Sequence, residues 1–184
     1  THHTNEIAQS QACYNISPVR YWLHTNMLTV NGVRMSKSAG NGFLPEELFS
    51  GDHPMLEKAY SPMNVRFFML QTHYRSTLDF SNEALQAAEK GLKRLWDAYE
   101  KLGVMSRESG VGGQQPEDKE LDEKVRSLVA EFDEHMNDDF NTAKVLASMF
   151  ELVPIINSIK DKTIPVSALS AETLALLQTK FKSY

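Results

Sequence analysis

Cysteine is nearly absent from this sequence: Cys13 is the only one in 184 residues. A single thiol excludes an internal disulfide framework and is typical of proteins in a reducing compartment. The N-terminus has no basic region followed by an apolar stretch, so it is not a secretory signal. We therefore predict a cytoplasmic protein.

Long hydrophobic runs and an excess of positive charge are also absent. No apolar segment approaches the roughly 20 residues that span a bilayer, so we expect no transmembrane helix and no membrane partner. The formal net charge is −5, which makes nonspecific attraction to nucleic acid weak for the chain as a whole. Any contact with nucleic acid must come from a local patch.

An initiator methionine is missing as well. The sequence begins with Thr-His-His-Thr-Asn-Glu, inside what looks like a functional helix. We infer from this start a fragment of a longer polypeptide. Its composition, 41% hydrophobic and 23% charged, is that of a soluble globular protein, and its length allows one ordinary domain or two small ones.

Helical periodicity dominates the second half of the sequence and predicts a mainly α protein. The apolar stripes predict long helices over residues 82–102, 116–136, 141–159 and 171–181. Ser81, Asn141 or Thr142, and Ser170 are their predicted N-caps. Pro154 should kink the third helix. Short connections between amphipathic helices predict an antiparallel bundle, with a flexible glycine-rich loop over residues 103–115.

Shorter elements are predicted in the first half. An apolar stretch predicts a helix over residues 64–72, and residues rich in β-formers predict a strand over 19–24. Three further short helices are predicted over residues 1–13, 45–48 and 55–59.

The central stretch of the sequence is residues 28–41, LTVNGVRMSKSAGN. Its Asn31-Gly32 pair predicts a hairpin turn, because both residues tolerate the positive φ angles of a type I′ turn. The loop that follows contains Arg34, Lys37 and two serine hydroxyls, a set that suits a polyphosphate. A solvated basic turn is the alternative, and composition alone favours it.

Metal-binding side chains occur near the N-terminus. On a helix, His2 and Glu6 project from one face and form half of a site for zinc, which accepts imidazole and carboxylate ligands. Two ligands cannot close a four-coordinate site, and for these residues alone an exposed helix end with incidental histidines is the stronger interpretation. Cys13 is too far along the helix to join them and is expected to be buried. For His24, a ligand-facing position and an ordinary core or surface position are equally compatible with the sequence.

Adjacent carboxylates occur at Asp138 and Asp139. A metal site is one interpretation, but neighbouring side chains at a helix start point in different directions. We therefore expect them to place favourable negative charge at a helix N-terminus.

Four segments carry a family resemblance. Residues 34–38 (RMSKS) are similar to the KMSKS signature of class I aminoacyl-tRNA synthetases, with arginine in place of the first lysine. Residues 2–10 (HHTNEIAQS) are similar to the family stretch HHENEIAQS, with Thr4 in place of glutamate. Residues 72–76 (THYRS) and 79–81 (DFS) are similar to a THYRS-plus-NFS region, with Thr77 in place of proline. Residues 137–142 (NDDFNT) are similar to the segment MDDDFNT. In this order and spacing they resemble the C-terminal part of the cysteinyl-tRNA synthetases.

This resemblance implies a fold and an activity. It implies a C-terminal remnant of a Rossmann-type catalytic domain over residues 1–45, a stem-contact region over 46–80 and the helical, tRNA-contacting bundle over 81–184. The family joins cysteine to ATP to give cysteinyl-adenylate and pyrophosphate. It then passes the cysteinyl group to the terminal adenosine of tRNA(Cys).

The resemblance also implies roles for residues of the central stretch. Ser36, Lys37 and Ser38 would hold the phosphates of ATP, which binds with Mg²⁺ as a substrate. Lys37 would stabilise the charge that builds on the leaving pyrophosphate. Arg34 keeps the positive charge of the usual lysine with a different geometry. The remaining ATP contacts, with adenine, would come from the backbone around Met27 and Leu28.

The family's zinc ion would take His2 and Glu6 as ligands, together with two cysteines located upstream. That metal accepts the substrate thiolate, and because zinc prefers thiolate over a neutral hydroxyl, serine is rejected without editing. Those two cysteines have no counterpart in this sequence, and neither has the family's HIGH signature.

These departures predict that the chain alone neither activates cysteine nor holds zinc tightly. Its implied partners are cysteine, ATP, tRNA(Cys) and a missing N-terminal half of the catalytic domain. Two other functions stay open: part of a related ligase that joins cysteine to an amino sugar, and a helical tRNA-binding module without chemistry.

Overall fold

The computed structural model of the protein describes residues 2–36, 38–108 and 115–184, with the side chains of 106–108 left out. The part described is mainly helical, as predicted, with one small sheet. Helix α1 spans Thr4–Tyr14 and begins after the two histidines that were expected to lie on it. None of its residues is buried, so it lies outside the hydrophobic core.

The predicted hairpin is confirmed. Strand β1, Leu28–Val30, pairs antiparallel with β2, Val33–Arg34. Between them, Asn31 has φ 51° and Gly32 has φ 76°, as a type I′ turn requires. The carboxylate of Asp79 also holds this turn, since it accepts a hydrogen bond of 2.8 Å from the backbone N–H of Gly32.

A third strand was not predicted. Strand β3, Leu78–Phe80, runs parallel to β1, and the sheet order is β2-β1-β3. Three residues are too short to show the alternation that identifies a strand from sequence. The buried ends of the two parallel strands, Val30 and Phe80, stand opposite each other in the register.

The strand predicted over residues 19–24 is wrong, because the structure shows no regular element there. Its residues have strand propensity, but that propensity reflects packing against neighbouring strands. Here the side chains face solvent: Tyr21 is 82% and Leu23 is 60% exposed.

Two short helices were predicted after the hairpin, and one of them forms. Helix α2 spans Pro45–Ser50 and ends at Gly51, whose φ is 77°. The helix predicted over residues 55–59 is wrong. The backbone groups of this segment bond to the Asn82 side chain instead of to one another. Its Oδ1 accepts from the N–H of Glu57 at 3.0 Å, and its Nδ2 donates to the carbonyl of Met55 at 2.9 Å.

The remaining helices form one bundle around a continuous apolar core. Its helices are α3 (Pro62–Leu70), α4 (Asn82–Glu108), α5 (Lys119–Asn137), α6 (Thr142–Lys160) and α7 (Ala171–Ser183), with a 3₁₀ turn at Val166–Ala168. Three predicted N-caps are confirmed, because the side chains of Ser81, Asn141 and Ser170 each accept a backbone N–H of their helix's first turn.

The flexible loop predicted from residue 103 begins too early. Helix α4 continues to Glu108, because its apolar stripe continues: Leu102 and Met105 are 1% and 2% exposed. That burial outweighs the cost of Gly103 inside a helix, about 1 kcal/mol. Residues 109–114 of the predicted loop lie outside the described residues.

Helix α6 is the most apolar helix of the bundle. Its length and its mean hydropathy of 1.3 make it long and apolar enough to cross a membrane, which was not predicted. Seven of its residues are buried, however, as expected of the core helix of a bundle. The helix continues through Pro154, and the kink expected there stays a prediction.

Candidate functional site

The loop between β2 and α2 is held in shape by Asn41, which is only 6% exposed. Its Oδ1 accepts a hydrogen bond of 2.9 Å from the backbone N–H of Ser36. Its Nδ2 donates to the carbonyl of Arg34 at 3.2 Å. One buried amide therefore joins the two ends of the predicted phosphate-binding loop.

The two serine hydroxyls of this loop lie together. The Oγ atoms of Ser36 and Ser38 are 3.3 Å apart, and the backbone N–H of Ala39 donates to Ser36 Oγ at 3.2 Å. Ser38 and Arg34 are exposed, so an anion is able to reach them. Lys37, the predicted catalytic residue, lies outside the described residues.

The predicted adenine-contacting segment lies at the start of β1, the central strand of the sheet. Met27 and Leu28 are 46% and 39% exposed. The carbonyl of Met27 accepts from the N–H of Leu78 at 3.2 Å, and that of Leu28 accepts from Met35 at 3.1 Å. Each carbonyl retains a second lone pair, so further acceptance from a ligand is possible.

Three histidines come together near the N-terminus. Ligand atoms of His2, His3 and His24 all lie within 4.8 Å of one another. The ring of His3 stacks on Trp22 with ring centroids 3.9 Å apart, which fixes its position. His24, whose orientation the sequence left open, therefore faces the other two histidines, and His3 joins a group that was predicted without it.

Glu6 lies beside this histidine group and is not a member of it. Its Oε1 is 3.6 Å from His3 Nδ1. A hydrogen bond from its own backbone N–H and the nearby imidazoles of His3 and His2 lower the pKa of Glu6, against a smaller opposing effect of burial. The carboxylate is therefore ionised at neutral pH and suited to a cation.

These donors fit the chemistry of zinc in part. Imidazole nitrogen and carboxylate oxygen are ordinary zinc ligands. His2 precedes α1, so the helical spacing that was expected to align it with Glu6 does not apply. Cys13 is exposed, against the expectation of burial, and does not belong to the group. The described residues thus offer nitrogen and oxygen donors here without a thiolate.

Asp139, which precedes the N-cap of α6 as expected, also makes contacts that were not predicted. Its carboxylate accepts a hydrogen bond of 2.6 Å from Tyr74 Oη and lies 3.0 Å from Arg75 Nε. These contacts connect the bundle to the His73–Ser76 segment, whose function the sequence did not reveal. A link between residues so far apart in the chain leaves no periodic signal, so sequence reasoning missed it.

Two family models match this chain. The model described as the catalytic domain of class I (C) tRNA synthetases matches residues 1–90, and the DALR domain model matches residues 131–184. The first match contains the hairpin, the serine loop and the histidine group. The second covers the last part of α5 and all of α6 and α7.

Curated relatives match almost the whole chain. Cysteine–tRNA ligase from Cytophaga hutchinsonii is 43% identical over 98% of this chain and 36% of that relative. The ligase from Parabacteroides distasonis is 47% identical over 98% of this chain and 34% of that relative. The ligase from Porphyromonas gingivalis is 44% identical over 100% of this chain and 35% of that relative. The chain spans about a third of the length of these curated relatives.

Proposed function

Because this chain belongs to the cysteine–tRNA ligase family of class I aminoacyl-tRNA synthetases, we propose that it works in the cytoplasm as part of a ligase for tRNA(Cys). In the proposed reaction, the cysteine carboxylate attacks the α-phosphate of ATP, forming cysteinyl-adenylate and releasing pyrophosphate. The terminal adenosine of tRNA(Cys) then takes the cysteinyl group and AMP leaves.

The observation that carries this proposal is the serine loop closed by Asn41. Ser36 and Ser38 present hydroxyl donors side by side, and the exposed Arg34 adds positive charge. We propose that these residues and Lys37 bind the phosphates of Mg²⁺-ATP. Donors fixed before the reaction stabilise charge on leaving pyrophosphate without reorganising, and Lys37 is the proposed catalytic residue.

The adenine would lie against the start of β1, at Met27 and Leu28. Both side chains are half-exposed and apolar, which suits the face of an adenine ring. Backbone groups of the same segment would contact its polar edge. ATP would thus lie along the hairpin, with its base at β1 and its phosphates at the serine loop.

His2 and Glu6 are the proposed zinc ligands of this chain. Zinc, when bound, supplies a preference for the thiolate of cysteine over the hydroxyl of serine. The chain's own residues would supply imidazole and carboxylate donors, while thiolate donors would come from elsewhere. The isolated chain is therefore expected to bind zinc weakly.

The proposed partner of the N-terminal region is the other half of a catalytic domain. Tyr14, Tyr21 and Val33 are 75%, 82% and 58% exposed. Large apolar side chains that are exposed this often in one part of the sequence suit a region that another structural unit covers. That unit would also bring the opposite side of the ATP site.

An ATP–pyrophosphate exchange assay tests the catalytic part of this proposal. The 184-residue chain alone should show no cysteine-dependent exchange, because it offers only one side of the ATP site. Adding the first part of a relative such as the Cytophaga hutchinsonii ligase should restore exchange, and Lys37→Ala should abolish it again. Exchange by the chain alone, or restored exchange that is indifferent to Lys37→Ala, would contradict the assignment.

A tRNA-binding module without chemistry is the second candidate, favoured by the helical bundle that α3 to α7 form. Gel shifts with tRNA(Cys) at several salt concentrations test this binding, since phosphate contacts make affinity fall with salt. A ligase for an amino sugar would need no such binding, so tRNA binding by the chain separates it from the tRNA ligase.

A further inference from the structure

The turn between α5 and α6 has an unusual backbone. Asp139 and Phe140 have φ angles of 58° and 55°, a left-handed conformation that residues other than glycine seldom adopt. Phe140 is 54% exposed, so burial of its ring does not account for the conformation. Such strained residues persist where their surroundings fix them, and they concentrate at functional sites.

Three consecutive residues fix this turn. His73 Nε2 lies 3.1 Å from the carbonyl oxygen of Asp139. Tyr74 Oη and Arg75 Nη2 both donate to Asp139 Oδ1, the second at 3.3 Å. Arg75 Nε donates to Tyr74 Oη at 2.9 Å and lies 3.0 Å from Asp139 Oδ2 as an ion pair. We call these four residues, His73, Tyr74, Arg75 and Asp139, the Asp139 clasp. It holds both the strained backbone and the carboxylate of the turn.

The clasp also reaches the hairpin through Asn26. The carbonyl of Tyr74 accepts the backbone N–H of Asn26 at 3.0 Å, and that of Arg75 accepts from Asn26 Nδ2 at 2.8 Å. Asn26 Oδ1 in turn accepts the N–H of Met27 at 2.7 Å. An unbroken series of hydrogen bonds therefore runs from the α5–α6 turn to the first residue of the proposed adenine-contacting segment.

We propose that Asp139 is a positioning residue for ATP: through Tyr74, Arg75 and Asn26 it holds Met27 and Leu28 in the arrangement that receives adenine. The inference rests on the proposed ATP site. It gives a residue of the helical bundle an effect on nucleotide binding, although Asp139 itself contacts no nucleotide.

Amide hydrogen exchange in the 184-residue chain tests the link itself. Asp139→Ala should increase exchange of the Asn26 and Met27 amides by about tenfold, the change expected when a local structure loses a modest part of its stability. Asp139→Asn should have a smaller effect, because its amide oxygen still accepts from Tyr74. Asp138→Asn is the matched control: its carboxylate is 70% exposed and lies 3.7 Å from Lys144. Equal exchange in the Asp138 and Asp139 variants would overturn the proposal.

Titration of the same proteins with Mg²⁺-ATP, after the first part of the Cytophaga hutchinsonii ligase has been added to complete the ATP site, tests positioning rather than mere stability. Asp139→Ala should weaken ATP binding about fivefold or more. Asp139→Asn should weaken it less, and Asp138→Asn should leave the affinity for ATP unchanged. Tyr74→Phe, which leaves Asp139 intact, should weaken it as well and guards against misfolding of the alanine variant. ATP affinity that is unchanged in Asp139→Ala and Tyr74→Phe would overturn the inference alone. A wild-type chain that binds no ATP even in this mixture would contradict the proposed function and the inference that rests on it.

Discussion

The side-chain oxygen of Asn41 accepts a 2.9 Å hydrogen bond from the backbone N–H of Ser36, across the loop that joins β2 to α2. The same buried amide donates to the carbonyl of Arg34. The shape of the serine loop thus depends on a side chain that needs no direct contact with a ligand.

Asn41→Ala should therefore loosen the loop. It leaves the N–H of Ser36 without its partner, and a lost partner of a buried polar group costs about 1–3 kcal/mol. We expect a lower free energy of unfolding in urea and weaker binding of tripolyphosphate, measured by calorimetry. Asn5→Ala, at an exposed position of α1, is the control. Tripolyphosphate binding that is equal in both variants would rule out a loop organised by Asn41.

Gly51 and Gly32 form a matched pair for a test of packing against backbone strain. Their φ angles are 77° and 76°. A Cβ atom added at Gly51 would lie 2.5 Å from the backbone N of Ala59, whereas a Cβ atom added at Gly32 would have no atom of the described residues within 4 Å, apart from its chain neighbours. Gly32→Ala should cost only the left-handed conformation, about 1–2 kcal/mol. Gly51→Ala adds a clash with backbone and should lower the free energy of unfolding further. If urea titrations show that both variants lose the same free energy of unfolding, residues 58–59 must shift to make room for the added Cβ at Gly51 at no cost in stability.

The pH dependence of stability should report on Asp122, a buried residue of α5. Burial acts to raise the pKa of Asp122, but hydrogen bonds from the Ser170 backbone and from Thr173, Arg126 and Ser170 side chains outweigh it, and the net pKa is lowered. A pKa that is lower in the folded state stabilises the fold above the unfolded value of about 3.9. That stability is lost as the pH falls through the folded pKa.

Urea titrations between pH 7 and pH 2 measure this effect. Asp122→Asn should reduce stability at neutral pH and flatten its decline below about pH 4. Asp97→Asn, at an exposed position of α4, should leave the pH profile unchanged. A decline with the same slope in wild type and Asp122→Asn would mean that other carboxylates determine the acid sensitivity.

Local chemistry explains which elements were predictable from the sequence. The Asn31-Gly32 turn and the caps Ser81 and Ser170 act within a few residues, so the sequence alone predicted them correctly. Asn82 and Asp139 act on residues that are distant in the chain. The helix expected at 55–59 was wrong, and the contacts of Asp139 with Tyr74 and Arg75 were missed, for this reason.

The same distinction applies to the candidate site. A motif located the serine loop, yet Asn41 was missed because no local pattern shows that a polar side chain is buried. His2 and Glu6 were identified by helical spacing, but α1 begins at Thr4. The contacts of His3 with Trp22 and His24 depend on the path of a segment without regular structure, which periodicity cannot predict.

Zinc binding by the histidine group is the last prediction. The described residues place three imidazoles and a nearby carboxylate together without a thiolate. Structural zinc sites have four ligands, commonly thiolates among them. We therefore expect this chain to bind zinc with a dissociation constant on the order of 10⁻⁶ M or higher. Competition with a chromophoric chelator at pH 7.5 measures the affinity.

Variants identify the ligands in that titration. His2→Ala and Glu6→Gln should weaken zinc binding further, whereas His135→Ala, which removes a histidine of α5 near Glu131, should not. Zinc that purifies with the chain and resists the chelator would mean that these donors close a complete site without cysteine. Weak binding that is insensitive to both His2→Ala and Glu6→Gln would place the metal elsewhere.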